Sequence, residues 1–88
     1  MMDVVAEMKA RLLVLSPEHM EIVDESALHA GHVGAQSGGG HYQLTLVAHA
    51  FHEQNAVARH RLVYEALGDL MGKHIHALSI TALAPDEL

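Results

Sequence analysis

The chain has no cysteine and no tryptophan, and its only other aromatic residues apart from histidine are Tyr42, Phe51 and Tyr64. Without cysteine there are no disulfides, and no zinc or iron–sulfur site can be held by the chain's own thiolates alone. With so few aromatic rings, the core must be aliphatic, built from Val, Leu, Ile, Met and Ala. Cations are scarce as well: five Lys and Arg against eleven Asp and Glu give a formal charge of −6. That balance argues against broad electrostatic binding of nucleic acid. No run is long and apolar enough to span a membrane, and the opening MMDVVAEMKARL lacks a signal-peptide layout. A soluble protein of the cytoplasm is expected.

What the chain does have is histidine, nine in 88 residues. Each titrates near neutrality when unperturbed, so net charge shifts strongly between about pH 5 and 7.5. The length suits one domain over residues 1–88. A domain of this size buries roughly 60–68% of the surface its unfolded chain exposes.

The segment from Asn55 to Met71, NAVARHRLVYEALGDLM, organises the rest. Asn55 is a good N-cap, because its side-chain oxygen can accept from a backbone N–H of the first turn. Val57, His60, Val63, Tyr64, Leu67, Leu70 and Met71 recur at three- and four-residue steps and share a face. His60 is expected near the middle of that stripe, as a core histidine. Leu62 falls outside it, and Gly72 is the expected stop.

Ahead of this helix, Asp3 can cap a first helix reaching about Leu15, with Val5, Met8, Leu12 and Leu15 as its apolar stripe and Ser16-Pro17 ending it. His19 to Glu25 alternates as a short strand, with Met20 and Ile22 on one side. The glycine-rich stretch SALHAGHVGAQSGGG has no periodicity and reads as a loop. His41 to Ala48 is a second strand, with Tyr42, Leu44, Leu46 and Ala48 on one face. After the central helix, Ile75 to Leu83 is a third, with His76, Leu78, Ile80 and Ala82 on one face, and Pro85 closes it.

The order α-β-β-α-β predicts an α+β fold, a three-stranded mixed sheet with both helices on one face. The first two strands form an antiparallel hairpin. The second and third, joined through the central helix, run parallel in a right-handed crossover. The third strand then starts at the same edge as the glycine-rich loop. His74 and His76 therefore approach the loop and strand start that carry His29, His32 and His41.

Neutral imidazole is a common ligand for zinc, copper, nickel and iron. His29 and His32 form an HxxH pair on a loop, with His76 a possible third ligand from rigid structure. By spacing alone, the pair reads more readily as solvated loop histidines, since HxxH on a loop lacks the helical frame of HExxH. A GxxG at Gly31–Gly34 lies between strands without a flanking cation, and the run SGGGH lacks the Lys-Ser/Thr of a phosphate loop. No nucleophile set stands out. Asp24 and Glu25, adjacent on a strand, project to opposite faces.

The segments VDES, HAGH, HY at the second strand, RHRLVYEAL and IHALSITALAP, in this order, closely resemble the BolA-like family over nearly the whole chain. The resemblance implies a type II KH-like fold and partnership with a monothiol glutaredoxin. It further implies a shared [2Fe–2S] cluster, for which glutaredoxin and glutathione supply thiolates and the BolA-like subunit supplies histidine. On this pattern His76 matches the C-terminal ligand. His29 matches the loop ligand, with His32 its rival because this loop is longer than in shorter members. His60 matches the RHR histidine and reads as structural, and Arg59 and Arg61 suit partner docking or DNA contact. The expected role is a non-enzymatic adaptor for iron–sulfur cluster assembly or trafficking, a monomer alone and a heterodimer with its partner. No cofactor is expected in the isolated protein. The alternative is a DNA-binding transcriptional regulator with Arg59, Arg61 and Lys73 on phosphates. A third reading, a plain zinc-binding histidine cluster, predicts metal uptake without any partner.

Overall fold

The computed structural model describes residues 2–29 and 40–88, the side chains of Leu28 and His29 excepted. Helix α1 (Val4–Leu12) begins as its sequence implies: the Asp3 carboxylate accepts from Ala6 N at 3.1 Å. A 3₁₀ turn, Leu13–Leu15, follows, and Ser16 at φ 50° breaks the run before Pro17. Strand β1 (His19–Asp24) pairs antiparallel with β2 (Gly40–Val47), and β2 pairs parallel with β3 (Ile75–Leu83). The sheet order β1-β2-β3 is the expected mixed sheet. Between β1 and β2 the stretch expected to lack regular structure opens with a 3₁₀ turn, Ser26–His29. Asp24 nucleates it by accepting from Ser26 N at 2.9 Å, the usual Asx device.

The core is aliphatic apart from Tyr42 and Phe51. Met8 and Leu12 of α1 meet Tyr42, Leu44, Leu46 and Ala48, with Val63, Leu67, Leu70, Ile75 and Ala84 closing it. Apart from the Tyr42 phenol, no polar side chain among the described residues is buried. Phe51, which reads in the sequence as part of a connector, is fully buried in a 3₁₀ turn, His49–Phe51.

The central helix departs from expectation in length and rotation. Helix α2 spans Ala56–Leu67, capped by Asn55 Oδ1 accepting from Ala58 N at 2.8 Å. It ends at Gly68, not at Gly72. Glycine inside a helix costs about 1 kcal/mol but terminates one cheaply at positive φ. Gly68 adopts φ 56°, and its N–H reaches Tyr64 O at 2.9 Å. Arg11 of α1 donates to Leu67 O at 2.8 Å and to Asp69 at 2.7 Å, closing the helix end. A short helical turn, Leu70–Lys73, follows, with non-helical dihedrals at Met71 and Gly72, before β3.

Because α1 lies beside α2, the buried sector of α2 is turned toward α1. Leu62, expected outside the stripe, packs against the core. Val57 and Tyr64, expected inside it, are 62% and 43% exposed. His60 shifts with them and is half-buried on the flank, not a core histidine.

Candidate functional site

Parallel pairing brings the starts of β2 and β3 to one rim of the sheet. Gly40 N donates to His74 O at 3.0 Å, tying the strand start to the residue before β3. Gly40 pairs with Ile75 but His41 pairs with Ala77, so the register slips and His76 has no residue opposite. This bulge corrects the expected alternation. Leu78, Ile80 and Ala82 pack against the core with Ile75, while His76 is exposed, one step out of their face. An extra residue in one strand re-aims its side chain.

The re-aimed ring meets His41. The two imidazole centroids are 5.2 Å apart, with the planes tilted by 48°. His41 is itself held from both sides. Its N–H donates to Ser26 Oγ at 3.1 Å, and its carbonyl accepts from Glu25 N at 2.8 Å. Beside it, Tyr42 turns into the core and folds over Gly40. A Cβ on Gly40 would stand 2.6 Å from Tyr42 Oη. Burial pushes the Tyr42 phenol up, and the Asp24 carboxylate adds to the effect. Glu25, His41, Tyr42, Ala77 and Ser79 line a cleft of about 300 Å³ here.

The expected convergence of His74, His76 and His41 is therefore present. For the loop ligands, the backbone of His29 lies in the 3₁₀ turn after β1, but its ring, like the whole of His32, lies outside the described residues. Among the described residues no three His, Asp or Glu side chains gather to hold a metal ion. The rim offers a pair of imidazoles. His41 as the neighbour of His76 is the site residue that sequence reasoning left out of its ligand set. Alternation alone hid it, setting His41 opposite in facing to Tyr42 and His76 on the face of Leu78; only the bulge brings the two rings together.

The cations fare differently. Arg59 is spent on the fold: its guanidinium donates to Gln54 O at 2.7 Å, Ala82 O at 2.9 Å and Glu87 at 2.6 Å, and its side chain is 13% exposed. Arg61 is exposed, and Lys73 lies 3.6 Å from Asp69 with 70% of its side chain exposed. His60 stands edge-on to Tyr64 at 6.4 Å and, with Arg59, Ile80 and Ala82, lines a second cleft of about 350 Å³.

Comparison with known proteins adds three findings. The model of the family described as BolA-like protein matches residues 13–87. Among curated relatives, a SufE-like protein 1 of Arabidopsis thaliana is 39% identical over 84% of this chain, which spans 21% of that protein. The DNA-binding transcriptional regulator BolA of Vibrio cholerae is 38% identical over 81% of this chain, which spans 64% of it. The chain thus spans less than two thirds of either relative. Among solved structures, the BolA domain of SufE1 from Arabidopsis thaliana superposes with a TM-score of 0.85 at 35% identity, covering 100% of this chain and 99% of that one. BolA1 from Mus musculus gives 0.80 at 36% identity, covering 99% and 69%.

Proposed function

The chain belongs to the BolA-like family, and from that premise we propose that it is a non-enzymatic adaptor in iron–sulfur cluster assembly or trafficking. It docks with a monothiol glutaredoxin and lends histidine to a [2Fe–2S] cluster that the two proteins share with glutathione. The observation that carries this reading is the pair of rings, His41 and His76, 5.2 Å apart at the rim where β2 and β3 begin.

The donor set fits such a group as one half of its ligands. Two imidazoles on one iron are the arrangement found where histidines replace cysteines, and the thiolates must then come from the partner. His76 would hold the iron on this side, with His41, His29 or His32 as the second imidazole. The shared cluster supplies the electron-transfer and cluster-donor chemistry. This chain's residues position it and, because a protonated imidazole no longer binds metal, they allow release as pH falls.

Titrating this protein into a cluster-loaded monothiol glutaredoxin should change the visible circular dichroism, and His76→Ala should abolish the change. An unchanged spectrum, the same for both proteins, overturns the reading. His41→Ala, His29→Ala and His32→Ala, taken one at a time, identify the second ligand.

A DNA-binding regulator is the second reading. The name of the Vibrio cholerae relative favours it, as do the exposed Arg61 and Lys73. The charge of −6 and the internal bonds of Arg59 weigh against it. Affinity for duplex DNA that falls steeply with salt is the behaviour it requires.

A further inference from the structure

The two edge strands of the sheet are protected very differently. Strand β1 carries Glu21 and Asp24, charges that oppose pairing with another chain. Strand β3, IHALSITAL, is nine residues long and has no Lys, Arg, Asp, Glu or Pro. Ala48 N donates to Leu83 O at 3.0 Å, so beyond the bulge, from Ala77 on, the odd-numbered residues of β3 turn their backbone groups toward β2. The even-numbered ones face outward. Arg59 occupies the outward carbonyl of Ala82 at 2.9 Å. The outward groups of Leu78 and Ile80 bond to no other described residue.

The flank of α2 above this edge is also unpartnered. His60 lines the cleft with Ile80 and Ala82, which fixes the direction in which that flank looks. Val57 and Tyr64, one turn to either side of His60, are 62% and 43% exposed. An open strand and an apolar helix stripe thus lie side by side. At their margin Arg59 is already neutralised by Glu87, while the exposed Arg61 lies one turn from both Val57 and Tyr64.

The geometry points to a second copy of this chain as the occupant, docked edge to edge through β3. An uncharged edge is its own complement, and β3 carries no charge that would select a charged partner. A two-fold centred on Ser79 places Leu78 of one copy opposite Ile80 of the other, and the reverse. The two open groups on each copy then satisfy one another in an antiparallel ladder. The same operation sets Val57, His60 and Tyr64 of one α2 toward their counterparts.

The association is weak and concentration-dependent. At about 3.3 Å per residue β3 is roughly 30 Å long, and the molecule's shortest extent is 18 Å. Such a side presents on the order of 500 Å² per copy, short of the roughly 800 Å² per partner of a standard stable interface. Self-association departs from the expectation of a monomer for the isolated protein and requires no cluster; its register sets His76 of one copy opposite Ala82 of the other.

Sedimentation equilibrium over a wide concentration range tests it. The unmodified protein should rise toward twice the mass of one chain. Ser79→Lys and Ser79→Glu each place like charges opposite one another at the two-fold and should remain monomeric. Ser79 is exposed, so the substitutions spare the core. Their equimolar mixture should regain the dimer. As a second measurement, amide exchange at Leu78 and Ile80 should slow as concentration rises. A monomer at every concentration, equal association by all variants, or exchange at those two amides that ignores concentration overturns the proposal.

Discussion

At the scale of single residues, the imidazole rim depends on a glycine that carries no chemistry. Tyr42 is 7% exposed and its ring lies where a Gly40 side chain would go. The ring cannot yield without leaving the core, so Gly40→Ala forces overpacking of the kind that costs about 1–3 kcal/mol. Urea denaturation should register that loss, and the His41–His76 contact should loosen with it. The sequence read His76 as the ring opening β3, and this was right because parallel pairing follows from connectivity alone. It could not reveal the bulge, because periodicity assumes an uninterrupted ladder. It also placed Arg59 with the ligand-facing cations. Only three-dimensional packing shows that its guanidinium is consumed by Ala82, Gln54 and Glu87.

At the scale of elements, helix starts were legible and a helix stop was not. Asp3 and Asn55 cap their helices as their side chains allow. Asn55→Ala should lower stability by about 1 kcal/mol, and Asn55→Gly by only a few tenths, measured as shifts in the urea midpoint at constant slope. The stop of α2 was ambiguous because ALGDLMG offers two glycines. What selects Gly68 is Arg11, reaching across from α1 to the Leu67 carbonyl and Asp69. The rotation of α2 has the same origin. A heptad-like pattern defines an apolar arc about 100° wide or more, and the neighbouring helix decides which part of that arc is covered. Val57 and Tyr64 lost and Leu62 gained by that decision.

For the whole molecule, two ion networks tie elements together: Arg11 joins α1 to the end of α2, and Arg59 joins α2 to β3 and the turn that follows it. Hydrogen bonds from Arg11 hold the Asp69 carboxyl below the usual carboxylate range. The Ala84 N–H, followed by Arg59, does the same for Glu87. Carboxyls with depressed folded-state values add stability above their unfolded values and lose it as pH falls through the folded ones. The contribution is therefore complete above about pH 5 and fades below about pH 4. It is modest, since both groups face solvent. A urea midpoint followed from pH 6 to 3 should fall less steeply for the double variant Asp69→Asn, Glu87→Gln than for the unmodified protein.

The direction of β3 also gives the molecule two unlike poles. The rings of His41 and His76 mark the rim where β3 begins. The strand then carries the chain away from them, and Glu87 is fastened beside Arg59. A reporter or domain fused after Leu88 would project from the far pole and leave the rings accessible.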